Sequence, residues 1–270
     1  MGQFTYFGHE PSLWLVGIVL FAVQVLAREA GGWVRRLIAG SADARAEDAS
    51  DKGFILSGVL GLLALMIAFT FSLAMNRYEA RRNLVVAEAN AIGTAEMRVQ
   101  ILASPQGAGL ARRLHAYART RLQFGLASAE EKPTFARSSA AQRDGLQTAT
   151  IATLAGRDSP IGASVAAAVN EVLDIGVERE AMLAERVPMT VLAALGAFTL
   201  LTAAILGYAL TGTRSRQRPS TIILFALLPL AILLILDLDR PQNGTIRIDQ
   251  SPMTRLVAGF ASRGEGAPTR

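Results

Sequence analysis

Four stretches without a single Lys, Arg, Asp or Glu dominate the chain: Pro11–Ala27, Phe54–Met75, Pro188–Leu210 and Pro219–Leu236. An α-helix rises about 1.5 Å per residue, so roughly 20 apolar residues cross a hydrocarbon core of about 30 Å. The second and third stretches are long enough to span, and the first is near the lower limit. Composition agrees. The 270 residues are 51% hydrophobic and only 18% charged, where soluble domains carry about 25% charged residues. The first stretch reads as a retained anchor rather than a signal peptide, because no Lys or Arg precedes Arg28 and no clean A-x-A site follows it. The chain has no Cys, which excludes disulfides, thiolate metal sites and Cys nucleophiles. The net charge of +5 is spread out, without the dense basic block of a nucleic-acid footprint. No nucleic-acid partner is expected.

Two short loops carry the orienting charge. Arg28, Arg35, Arg36, Arg45 and Lys52 lie between the first two stretches, and Arg214, Arg216 and Arg218 between the last two. The positive-inside rule places both loops in the cytoplasm. The segment 76–187 and both termini then lie on the extracytoplasmic side of a bacterial inner (plasma) membrane. Arg77, Arg81 and Arg82, just after the second stretch, oppose this, but a long segment with Glu79 accompanies them.

The expected fold is an all-α membrane protein with four transmembrane helices and a helical extramembrane domain inserted between the second and third spans. By residue number the layout is a first span with its interfacial segment (11–38, with Trp33 as anchor), a polar linker (39–53), a second span (54–75), the helical domain (76–187), a third span (188–211), a fourth (219–238) and a C-terminal tail (239–270). Breaks near Pro105-Gln-Gly107, Lys132-Pro133 and Gly156–Pro160 divide the helical domain. Its "LARRLHAYARTRLQFGL" piece reads as a basic amphipathic helix. In the last piece Asp158 or Ser159 can cap, and Pro160 suits the first turn. There Ile161, Ala168, Ile175 and Met182 recur every seven residues, with Val165 and Val172 between them, as a heptad seam that becomes Arg179 and Arg186. "TIRID" after Asn243-Gly244 is a modest strand signal, and the end "SRGEGAPTR" reads as disordered.

The second stretch has a small-residue side. On a helical wheel Ser57, Gly61, Ala64, Ala68 and Ser72 fall within an arc of roughly 80°. Asn76, Asn83 and Asn90 continue along its edge, drifting about 20° per heptad. Such a face suits close helix packing, or it lines a pore in which amide dipoles meet an ion without a fixed charge.

"MNRYEARRNLVVAEANAIGTAEMR" (Met75–Arg98) and "LILDLDRPQNGTIRI" (Leu234–Ile248) resemble the two recurrent blocks of the bacterial membrane family called bestrophin-like domain. The four-span layout resembles it throughout. That resemblance implies a relation to bestrophins, which are pentameric anion channels. The chain departs from them in lacking a long acidic run for a calcium clasp and a clear series of neck aromatics, for which Phe69 and Phe71 are poor substitutes.

Asp237, Asp239 and Arg240 end the fourth stretch. They are expected either to form an ion-pair clasp with Arg77, Arg81 and Arg82 or to hold a divalent cation. No catalytic set stands out. His9 and His115 are far apart, His115 reads as a solvated surface residue, and no metalloprotease, nucleophile-elbow or Walker pattern occurs. Glu178, Glu180 and Glu185 among Arg179 and Arg186 read as a charged helix surface. Asn243-Gly-Thr matches the glycosylation triplet but is first a turn signal. No enzyme activity and no cofactor are expected. Partners expected are membrane lipid, further copies of the chain and an inorganic ion. The function expected is an oligomeric ion channel, for anions by resemblance, with the second span lining the pore. The alternative is a structural or sensory membrane protein whose extramembrane helices bind a partner.

Overall fold

The computed structural model describes residues 12–38, 49–128, 130–156, 159–210, 218–240 and 244–265. The linker over 39–48, Asp158, the loop 211–217 with Arg214 and Arg216, Pro241–Asn243, His9 and the last five residues lie outside them. The described residues form eight helices and no strand: α1 (Leu13–Ile38), α2 (Ala49–Ile101), α3 (Pro105–Leu126), α4 (Lys132–Leu154), α5 (Pro160–Ala184), α6 (Met189–Leu210), α7 (Arg218–Asp239) and α8 (Ser251–Glu265). Four stretches are long and apolar enough to cross a membrane, in α1, the first part of α2, α6 and α7.

Helix starts follow local chemistry. Ser104 Oγ accepts from Gly107 N at 3.1 Å, and Ser159 Oγ from Gly162 N at 3.1 Å; a proline follows each cap in the first turn. Each cap satisfies an orphan amide, and the proline has none to lose. Ser159 is therefore the cap of α5.

The chain divides into two compact units, one of residues 1–76 with 187–239, the other of 77–186 with 240–270. In the first, α1 lies against α6 and α7. A Cβ on Gly31 would stand 1.9 Å from the Ala204 carbonyl oxygen, and one on Gly207 would stand 1.9 Å from that of Arg28. Only glycine permits this backbone approach, the usual device of helix pairs that cannot rely on hydrophobic burial within lipid. Arg35 Nη1 donates to Tyr208 O (3.0 Å) and Ala209 O (2.9 Å), satisfying carbonyls that the last turn of α6 leaves unpaired.

The second unit is built around α2. Ile92, Ala95 and Val99 pack with Leu110, Leu114 and Tyr117 of α3, Leu146 of α4, Val165, Val169 and Val172 of α5, and Met253 and Phe260 of α8. Three expectations change here. On α5 the buried line runs through Gly162, Val165, Ala168, Val169, Val172, Gly176 and Arg179, while Ile161 is exposed and Ile175 and Met182 sit at the edge. Val165, Ala168, Val172 and Arg179 of the expected seam are buried, and its centre lies toward Val165, Val169 and Val172 rather than Ile161 and Met182. Thr245–Asp249 forms no strand; it leads irregularly into α8, where Asp249 Oδ1 accepts from Ser251 N at 2.9 Å. The tail is helical to Glu265, because Met253, Leu256, Val257 and Phe260 form an apolar stripe that the core receives.

Candidate functional site

α2 runs without a break through the second apolar stretch and beyond. Among its buried residues, Leu63, Thr70, Ala74, Arg81, Val85, Glu88, Ile92, Ala95 and Val99 recur at intervals of three, four and seven and form one seam, with Ala89, Ala91 and Glu96 buried on its flanks. Ser57, Gly61, Ala64, Ala68, Ser72, Asn76, Asn83 and Asn90 are all exposed in the protomer. Their mean direction is roughly 160° round the helix from that seam. Hydroxyls, amides and small residues make a poor lipid surface, so this face calls for water or a second helix. Leu65 and Glu79 lie on the same arc and are exposed. The second is a residue the sequence reading counted only for topology; its helical phase, at the centre of the arc from Ser57 to Asn90, was the available signal.

Arg81 and Asp239 each bond the backbone within their own unit. Arg81, 2% exposed, donates from Nε to Met182 O at 3.2 Å and from Nη2 to Glu185 O. It thereby satisfies carbonyls where α5 ends. Asp237 and Asp239 are both buried at the end of α7, and Asp239 Oδ1 accepts from Val187 N at 2.9 Å. Arg77 and Arg240 are half-buried and Arg82 is exposed. Arg82 lies near Asp249, whose carboxyl is held low chiefly by its hydrogen bonds to Ser251, with Arg255 and Arg82 adding. Among the described residues no group of three or more His, Cys, Asp or Glu stands where it could hold a metal.

A buried charge network that the sequence reading missed ties α2, α3, α4 and α5 together. Glu88 is fully buried. Its Oε1 accepts from Arg121 Nε at 2.5 Å and from the Tyr117 hydroxyl at 3.3 Å, and its Oε2 accepts from Arg179 Nη1. Arg121 Nη1 reaches Glu180 Oε1 at 2.6 Å, and Arg143 takes Glu180 in a two-pronged bond at 2.6 and 2.9 Å. Glu180 is thus an internal partner rather than part of a solvated surface. Burial, and then the charge of Glu88, push the Tyr117 hydroxyl up to about 12. Burial works against the Arg121 cation, but Glu88 and its neighbours more than offset it and hold the guanidinium above its usual range. The sequence signal for Glu88 was its place on the line Val85, Glu88, Ile92, Ala95: an acid on an apolar face must find cations. His115 is also not a solvated residue; its Nε2 lies 3.3 Å from buried Glu96 Oε1, and its ring stacks on Phe260 at 4.0 Å.

Lys132 carries a pH prediction. It is 8% exposed, and burial followed by the charge of Arg179 lowers its pKa from 10.5 to about 8. Between those two values the unfolded chain binds more protons than the native one, so this residue's contribution to stability rises with pH through about 8 and levels off near 10.5. Below that window both states are protonated. Thermal melts from pH 7 to about 10.5 should show this rising component in wild type, and Lys132→Met should lack it.

With this geometry in place the comparisons decide the family. The family model described as Bestrophin-like domain matches residues 20–253. The chain belongs to the bestrophin-like family. No curated protein matches it. Its fold is that of a bacterial bestrophin homolog from Klebsiella pneumoniae, at 16% identity and TM-score 0.66, covering 95% of this chain and 100% of that one. A tryptophan-to-alanine variant of that homolog gives 18% identity and TM-score 0.67 over 94% of this chain and 98% of that one. This bestrophin-like chain is therefore an all-α membrane protein of a family related to channels.

Proposed function

We propose that the protein is the protomer of a homo-oligomeric ion channel in which the exposed face of α2, from Ser57 to Asn90, lines the pore. One observation carries the reading: all eight residues of that face are uncovered in the protomer and point away from its own buried seam. The family's relation to bestrophins makes anions the expected class of ion. Within the span the face has no fixed charge, so selection by charge falls to residues just beyond it, Glu79 and Arg82.

Planar-bilayer recording of the purified oligomer tests this. Wild type should conduct, and Glu79→Gln should raise the anion-over-cation permeability ratio, because a ring of carboxylates leaves the path. A tight bundle without conductance would favour the scaffold or sensory reading.

The extramembrane unit is proposed to comprise 77–186 with the C-terminal segment. That these segments form one compact unit supports both lying on one membrane side, as four spans require. Arg35 at the end of α6 supports the two basic loops sharing the other side. By the positive-inside rule that side is the cytoplasm. In intact cells an impermeant thiol reagent should label Ser138→Cys and spare Ser215→Cys. The opposite pattern inverts the protein.

A further inference from the structure

A cleft of about 510 Å³ opens in the second unit, among α2, the α3–α4 turn, α5 and the segment before α8. Its volume falls within the range of small-molecule sites, roughly 300–1,000 Å³, and is far larger than a single inorganic ion needs. Four cations line it: Arg81, Lys132, Arg179 and Arg247. The two acids on its wall are engaged locally. Glu131 Oε2 accepts from Ser128 N at 3.0 Å and Oγ at 2.8 Å, while Asp249 accepts from Ser251.

Lys132 is the decisive residue. The residue is more than nine-tenths buried, and its ammonium makes no hydrogen bond or ion pair among the described residues. Its ammonium lies 5.7 Å over the Phe124 ring, which is its only described favourable contact. An ammonium on a largely buried stem, facing a cleft without an anion of its own, is costly and favours an anionic ligand. A second feature keeps the wall polar. Gly125 leaves room for the Gln250 amide, whose Oε1 would stand 2.2 Å from any Cβ there and accepts from Arg179 Nη2 at 2.9 Å.

We infer that this cleft is a binding site for an organic phosphate, in which Lys132 and Arg247 contact the phosphoryl oxygens and Phe124 packs against the attached organic body. A phosphate dianion suits several converging cations. The apolar part of the wall calls for a carbon skeleton behind it. A soluble phosphate ester and the headgroup of an anionic phospholipid share this chemistry.

The test is isothermal titration of the full-length protein, purified in phosphate-free buffer and detergent. One arm uses glycerol 3-phosphate, a second uses short-chain phosphatidylglycerol, and glycerol is the uncharged control. Saturable binding in either phosphate arm and none with glycerol is expected, and the arm that binds names the source. Lys132→Met should fold, because it removes a buried unpaired charge, and should weaken binding roughly tenfold. Arg247→Gln, at an exposed position, should weaken it several-fold. The absence of binding in both arms at millimolar concentration, or binding unchanged in both variants, would overturn the assignment.

Discussion

Glu88→Ala is expected to lower the stability of the protein by about 3–5 kcal/mol, the usual consequence of removing one partner from a buried ion pair. For a chain of this size that corresponds to a fall in melting temperature of about 10 °C. The reason is charge balance. Arg121, Arg143 and Arg179 are neutralised by Glu88 and Glu180 alone among the contacts described, and Arg121 is completely buried. Without Glu88, Arg179 loses a carboxylate and Arg121 keeps only Glu180. Glu88→Gln retains an acceptor but not the charge, so it should also be strongly destabilising. Glu171, exposed on α5, is the control, and Glu171→Gln should change stability by less than about 0.5 kcal/mol. Far-UV circular dichroism melts in detergent report all three. Equal melting temperatures for Glu88→Ala and Glu171→Gln would show that the network does not hold the unit together.

Ser72→Lys is expected to shift selectivity strongly toward anions while leaving the oligomer intact. Ser72 is exposed near the end of the apolar part of α2. In a pore, one ammonium per protomer forms a positive ring facing water, which repels cations and attracts anions. Asn76→Lys should act in the same direction. If the face were instead packed against another helix, the ammonium would have to be buried or to snorkel, at a cost on the order of 3 kcal/mol near the bilayer centre and less toward its edge. Size-exclusion profiles would then show weakened assembly with no change in reversal potential.

The elements that were legible in the sequence are those written in local pattern. The apolar runs gave the four spans because length and lack of charge are sufficient for a helix in lipid. Ser159-Pro160 marked a helix start because the cap and the proline act on their own turn, and the break near Pro105 proved to be a second start of the same kind. The arc from Ser57 to Asn90 followed from the helical period alone, and the protomer leaves it uncovered. What stayed hidden depends on residues far apart in the chain. Glu88 meets Arg121 and Arg179 across 33 and 91 positions, and no window of sequence joins them. Arg81 bonds the backbone carbonyls of Met182 and Glu185, 101 and 104 positions away, because a guanidinium pairs with a helix end as well as with a carboxylate. α8 was legible in principle, since Met253, Leu256, Val257 and Phe260 have helical spacing. The glycines and the polar last residues of the tail masked it.

On the proposed reading the Ser57–Asn90 face of α2 meets water inside an oligomer. Cysteine modification during bilayer recording tests it most directly, and the absence of native cysteine leaves no background. Ser72→Cys and Leu62→Cys are both exposed positions in the protomer, roughly 80° apart round the helix. A positively charged thiol reagent should change the current of Ser72→Cys and leave that of Leu62→Cys unaltered. Modification of Leu62→Cys with Ser72→Cys silent, or no current from the wild-type oligomer, would contradict the account.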